Sequence, residues 1–246
     1  MTTRDLPRQP GPSRWAVATI SLATPILIVA ATLLLLFNPW WITPAQDRAG
    51  VPAITGLSGK EVERITGSIL SDVTLGPPEF MVGVNDQPIL DSAERAHMTD
   101  VYGVLRGFGL AAILAAGLVV VILFRHRRDA RVWRVTARAA GVLVLVGVLA
   151  ALVVTFFFDS AFLVFHLVFF PQGNFAFDPR TQRLTQLFPT QFWTESAVAA
   201  VAIATGLAGA VFAVARRHAT ALTARLAGAD DGDRDHGGRD AARGHS

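Results

Sequence analysis

Cysteine is absent from the 246 residues, so the chain has no disulfide, no thiol nucleophile, no thiolate metal ligand and no cysteine of its own to carry a lipid. Charge is scarce: 17% of residues are Asp, Glu, Lys or Arg against 52% hydrophobic, too apolar a balance for an ordinary soluble domain. Lysine occurs once, at Lys60, so the net charge of +3 rests on arginine. These arginines are clustered rather than spread as a basic coat, and no nucleic-acid partner is expected. Nucleophile elbow, Walker loop and dinucleotide fingerprint are all missing, and Gly206-Leu207-Ala208-Gly209-Ala210 reads as helix-packing positions. Nucleotide-driven work is not indicated, and no cofactor is expected.

What is present is apolar sequence in runs. Ala16–Phe37, Gly107–Phe124, Ala139–Phe158 and Ser196–Ala215 each approach the roughly 20 helical residues that cross a bilayer core. None holds a charged residue, which argues against a pump or a proton relay through the membrane. Arg4, Arg8 and Arg14 precede the first run, Arg125, Arg127, Arg128, Arg131, Arg134 and Arg138 fill the link between the second and third, and Arg216 and Arg217 follow the fourth. Basic flanks stay on the cytoplasmic side, which puts both termini inside. The first run is longer than a signal-peptide core of roughly 7–15 residues and reads as a retained anchor.

The expected fold is therefore an α-helical membrane protein with four transmembrane helices and a small mixed α/β extracytoplasmic cap. Its divisions are a cytoplasmic N-terminus (1–15), spans at 16–37, 107–124, 139–158 and 196–215, outer segments at 38–106 and 159–195, a basic inner link (125–138) and a disordered cytoplasmic tail (216–246). The first outer segment carries nine acidic residues against five basic, the reverse of the inner link. Within it, Ser58 with Glu61 is a capping box for a helix over Leu57–Val73, whose apolar face is Val62, Ile65, Ile69 and Leu70. Phe80–Val84 and Gln87–Leu90 flank Asn85-Asp86 as a short hairpin. Asp91 or Ser92 can cap a helix that runs unbroken into the second span. Trp40, Trp41 and Trp193 mark the outer interface, which suits an amphiphilic substrate.

Polar residues set into this greasy outer rim are the candidates for chemistry, because burying them is costly. The third span is expected to continue past Asp159 and Ser160 to Phe170, where Pro171 and Gly173 stop it. Asp159, Phe162 and His166 then share one helical stripe, turned toward the second helix, with Phe158, Phe165 and Phe169 on another facing lipid. His97 and Asp100 lie three apart above the second span. Two histidines on one side of a membrane can act as base and acid. Asp178 before Pro179 fits a turn start as readily as a catalytic role. A metal site from His97, Asp100, Asp159 and His166 matches no compact motif.

The stretch from Phe157 to Trp193, with Phe-Phe-Asp-Ser-Ala-Phe-Leu-Val-Phe-His, then Phe-Phe-Pro, Phe-Asp-Pro and Leu-Phe-Pro-Thr-Gln-Phe-Trp, resembles the four-span integral membrane family of lipoprotein intramolecular transacylases. The segment Glu94-Arg95-Ala96-His97-Met98-Thr99-Asp100-Val101 resembles that family's other polar motif, and the likeness extends over residues 16–217. One departure is Phe175, at a position where relatives often have tryptophan.

The resemblance implies an acyltransferase of the bacterial cell membrane, its active face extracytoplasmic. It would act on diacylglyceryl-modified lipoproteins amid membrane lipid, moving the sn-2 acyl chain onto the cysteine α-amino group to give the lyso form. It also implies that His97 and His166 are catalytic. His97 suits the base and His166 the acid or oxyanion donor, though the roles can exchange; Asp100 and Asp159 can orient them or bind the amine, with Ser160 and Asp178 in support. A noncatalytic assembly or sensing module and a metal-dependent lipid hydrolase are the competing readings.

Overall fold

The computed structural model describes residues 11–84 and 87–243, those from 229 onward by backbone alone. Arg4 and Arg8, the Asn85-Asp86 turn and His245 lie outside the described residues. The chain runs α1 (Arg14–Leu36), α2 (Pro39–Arg48), α3 (Val51–Thr55), α4 (Gly59–Thr74), β1 (Gly83–Val84), β2 (Gln87–Pro88), α5 (Ser92–His126), α6 (Ala130–Phe169), α7 (Arg183–Leu187) and α8 (Thr190–Arg243). Of these α1, α5, α6 and α8 are long and apolar enough to cross a membrane; α5, α6 and α8 contain the second, third and fourth expected spans, and α1 covers the first up to Leu36, with Phe37 as its C-cap.

Local chemistry accounts for where these helices start. Ser13 caps α1, its hydroxyl accepting from the Ala16 N–H at 3.2 Å, and Asn38 caps α2 with Pro39 at the first helical position. Ser58 and Glu61 form the expected capping box of α4: Ser58 Oγ accepts from Glu61 N–H, and Glu61 Oε2 accepts from Ser58 N–H. Asp91 rather than Ser92 caps α5, again within a capping box, completed by Glu94.

The basic link is shorter than its composition suggests. Only Arg127–Asp129 separates α5 from α6, because Asp129 caps the new helix by accepting from the Arg131 N–H; Arg131, Arg134 and Arg138 ride on α6 itself. α6 is also bent, since Phe157 leaves helical geometry at φ −137° and ψ 34°. α8 continues beyond the Ser196–Ala215 span as helix through residues expected to form a disordered tail. Alanine, leucine and arginine dominate Arg216–Gly228, and these are among the best helix formers.

α6 and α8 pair along much of their length, and α1 lies against α5, α6 and α8, while α5 and α6 touch little. Close approach of α6 to α8 relies on glycine: a Cβ at Gly147 would collide with the Thr205 side chain, and one at Gly141 would press on Phe212. The outward faces carry exposed apolar side chains such as Leu114, Val121, Leu145 and Leu152, as lipid contact requires.

At one end the bundle bears a cap with its own core. Val62, Ile65, Ile69 and Val73 of α4 pack on Ile42 and Ala45 of α2, Val51, Leu90, Leu187 and Phe192. A buried amide ties its layers: Gln46 Nε2 donates to Thr66 Oγ1 at 3.0 Å and to the Leu187 carbonyl at 2.8 Å. The hairpin is reduced to an antiparallel pair of two-residue strands, Gly83 opposite Pro88 and Val84 opposite Gln87.

Candidate functional site

The cap-side ends of α5 and α6 bring two imidazoles together. The rings of His97 and His166 are stacked, 6.0 Å between centroids and 26° between planes, and both residues are buried. His166 is fixed by its own helix, Nδ1 lying 2.8 Å from the carbonyl of Phe162 one turn earlier. A carbonyl only accepts, so Nδ1 carries the proton there and Nε2 keeps its lone pair while the ring is neutral.

Aromatic rings wall the pair. Phe170 and Phe177 meet His97 edge-on at 4.8 and 5.6 Å. Phe162 and Phe175 lie 4.1 and 5.0 Å from His166. Phe162 also reaches Trp193 at 6.0 Å. Of the stripe expected to face lipid, Phe165 and Phe169 are about half exposed, but Phe165 also meets His166 edge-on at 5.4 Å, and Phe158 is half-buried against Phe162.

Burial pushes the His97 pKa down, and the neighbouring His166 charge adds to the effect, partly offset by a hydrogen-bonding influence of Asn174 and by the charge of Asp100. His97 therefore rests neutral at neutral pH, a suitable state for a base.

The remaining expected site residues divide. Asp100 is next to the pair but does not bond His97; its Oδ2 accepts from Gln172 Nε2 and from Asn174 Nδ2, both at 2.7 Å. These bonds pin the loop after α6 onto α5. Asp159 and Ser160 are exposed and line a separate cavity of about 400 Å³ with Thr155, Thr190 and Thr194, between the bend of α6 and the start of α8. Seven residues at about 1.5 Å each put Asp159 some 10 Å along the axis from His166, too far to orient it. Asp178 serves the turn: it accepts from the Arg180 backbone N–H and side chain, and these bonds hold its carboxyl below the usual range. Among the described residues no three His, Cys, Asp or Glu side chains converge as metal ligands.

Two supporting groups went unread in the sequence. Glu94, 1% exposed, accepts from the Asp91 N–H through Oε2 and from the Leu184 N–H through Oε1, at 2.7 and 2.6 Å. It thereby clamps the second outer segment to the first, at the start of α7. The spacing Asp91-Ser92-Ala93-Glu94 is a capping-box signature and was its available signal. Asn174, in the loop between Gly173 and Phe175, was the other, with little to mark it beyond being an amide among aromatics.

The family model described as lipoprotein intramolecular transacylase Lit matches residues 16–193. The in meso structure of the membrane-integral lipoprotein intramolecular transacylase Lit from Bacillus cereus is similar at 16% identity and a TM-score of 0.72, with 87% of this chain and 97% of that one covered. Structures of two variants of that protein, one with a histidine changed to arginine and one with it changed to alanine, each match at 15% identity and a TM-score of 0.66. They cover 94% and 95% of those chains respectively, and 87% of this one. No curated protein sequence matches with significance.

Proposed function

The chain belongs to the lipoprotein intramolecular transacylase family, and we propose that it moves the sn-2 acyl chain of a diacylglyceryl-cysteine onto the cysteine α-amino group, with His97 and His166 as the acid–base pair. As a member of that family it is a membrane acyltransferase acting on lipoproteins. The observation that carries the finer reading is the stacked, buried histidine pair in its aromatic surround.

An α-amino group has a pKa near 7.7–8.0, so at neutral pH much of it must lose a proton before it can attack. Once that proton has gone to solvent, the lone pair of the neutral amine adds to the ester carbonyl carbon, and His97 takes the further proton that the nitrogen sheds on addition. The tetrahedral intermediate then collapses with cleavage of the acyl–oxygen bond, and the departing glyceryl oxygen receives a proton from Nε2 of His166, which enters the step as the imidazolium with its Nδ1–H still on the Phe162 carbonyl. An amide is formed, an ester is lost, and the proton taken by one ring is matched by the proton given by the other. Before collapse, protonated His166 can also donate to the oxyanion.

Nucleophile and ester sit on one substrate molecule, so holding them in place supplies proximity and no enzyme serine or cysteine is needed. A cysteine-free chain is compatible with this chemistry. The rings accommodate the apolar chains, while arginines concentrated on the α5–α6 link support assigning the opposite, cap-bearing face to the outside of the cytoplasmic membrane.

The test is expression in a bacterial host lacking lipoprotein N-acylation, with tandem mass spectrometry of a reporter lipoprotein's N-terminal peptide. The expected product carries one chain on nitrogen and one on glycerol, and the His97→Ala, His166→Ala double variant makes none. An unchanged diacylglyceryl peptide with folded protein present would refute the reading in favour of another lipid substrate or a noncatalytic module. A peptide that has lost one chain to water, with none on nitrogen and only when metal is present, would instead favour the metal-dependent hydrolase.

A further inference from the structure

We infer that Asn174 is the positioning residue that sets the tautomer of His97, relaying the fixed charge of Asp100 so that Nδ1 carries the proton and Nε2 is the basic atom. The inference rests on the acid–base role proposed for His97 and adds the residue that prepares it.

The chain of constraints begins at Asp100. Its ionised carboxylate can only accept, and Oδ2 is approached at 2.7 Å by the side-chain amide of Asn174 and at 2.7 Å by that of Gln172. The atom of Asn174 facing Asp100 must therefore be its NH₂ group. That settles which way round the amide stands and turns its carbonyl oxygen inward. Asn174 Oδ1 is buried and has no other partner, and the same is true of His97 Nδ1. Buried polar atoms without partners are rare and costly, and here an obligate acceptor coincides with a ring nitrogen able to donate.

The two atoms fall short of ideal hydrogen-bond geometry, yet Asn174 lies close enough to favour the charged ring of His97. That sign fits an oxygen, not an NH₂, directed at the imidazole. Neutral His97 with its proton on Nδ1 satisfies both orphaned atoms. The opposite tautomer would set two lone pairs against each other in a buried site, as in triads whose histidine has lost its orienting partner. His166 has its own Nδ1 committed to the Phe162 carbonyl. Both rings are thus held by Nδ1, each leaving Nε2 for substrate.

Sequence separation makes the relay informative. Asp100 and His97 are one turn apart on α5, while Asn174 comes from the loop after α6. Docking of that loop, through Gln172 and Asn174 together, is what completes the base. Among the described residues, the titratable groups acting on His97 are His166 on α6 and Asp100 on its own helix.

The experiment uses the full chain in detergent, with a synthetic diacylglyceryl lipopeptide as substrate and ¹⁵N-histidine labelling to read the His97 ring, assigned by its loss in His97→Gln. In the unmodified protein without substrate, His97 is expected with Nδ1 protonated and Nε2 bare. Asn174→Ala is expected to mix the tautomers and lower kcat by about 10- to 100-fold, the usual cost of removing such an orienting partner, with KM little changed. The His97 ring, titrated by NMR without substrate, moves to lower pH, because a group favouring the charged ring has gone. Asn174→Asp keeps an acceptor oxygen toward the ring and is expected to retain the tautomer, whereas Asp100→Asn, whose amide can donate as well as accept, no longer fixes the orientation of Asn174 and is expected to lose part of it. A wild-type tautomer and an unmoved His97 titration in Asn174→Ala, even with a slower rate, would overturn the inference. The opposite tautomer in the resting protein would do so as well. Because the tautomer is read without substrate, absence of lyso product from a protein with the expected ring state would count against the proposed reaction and not against the role of Asn174.

Discussion

Removing the Glu94 carboxylate is expected to undock the second outer segment from the first while leaving the membrane helices in place. Glu94 is 1% exposed and accepts two backbone N–H groups, those of Asp91 and Leu184. Glu94→Ala leaves both without a partner, at about 1–3 kcal/mol for each buried donor so orphaned, or about 2–6 kcal/mol together if neither finds water. Asp91 recovers water more easily, being at an exposed helix start, so the Leu184 bond dominates. Glu94→Gln keeps one good acceptor and is expected to lose about half as much. The assay is hydrogen exchange across residues 171–189 in detergent, beside thermal melting, with exposed Glu63→Ala as reference. Faster exchange confined to that segment and to the start of α5 is the expected result. A melting curve and exchange pattern matching those of Glu63→Ala would refute the reasoning.

Other expectations follow from particular contacts. Burial lowers the His97 pKa, so the base form persists below the ordinary histidine value of about 6.5, and the His97 ring followed by NMR without substrate should titrate under it; a midpoint above it would contradict the burial argument. The same sign means that folding stability falls as pH drops through and below the unfolded-state value, because the unfolded ring binds the proton more readily. In His166→Gln, which removes a repelling charge, the His97 titration read by NMR is expected to move upward. Gly147→Ala should destabilise the α6–α8 pair by about 1–3 kcal/mol through overpacking on Thr205, and Thr205→Ala in the same chain should restore most of the melting temperature.

Spans and helix starts were legible because hydropathy and capping are local: four apolar runs, Ser58 with Glu61, and an aspartate before Ser92 needed no knowledge of partners. His166 was legible for a related reason, since an imidazole in an apolar helix end stands out from its neighbours, whereas His97, set among Glu94, Arg95, Thr99 and Asp100, was marked by its spacing to Asp100 and by the motif it resembles. Asp159 misled because periodicity reports which side of a helix a residue occupies and says nothing of its height. It shares a stripe with His166, but at its level the neighbours are Thr190 and Thr194 of α8. Asp178 had its bland reading from the start, and Arg180 two residues on supplied its partner. Glu94 and Asn174 act through groups 90 and 74 residues away in sequence, and no local pattern encodes such a pairing. The length of α6 and the departure of Phe157 from helical geometry likewise depend on what the helix meets.

The order in which these groups leave the ribosome gives the Glu94–Leu184 contact a further meaning. α5 is synthesised and inserted with Glu94 and His97 already in place, while their counterparts His166, Asn174 and Leu184 are still to be made. Until then the carboxylate has only its own helix start to hold, the imidazole has no second ring, and the apolar cap lacks Leu187 and Phe192. A nascent chain halted between α5 and α7 is thus an unfinished enzyme amid an abundance of ester-bearing lipid. The site is thus completed late, by the few residues that close the cap.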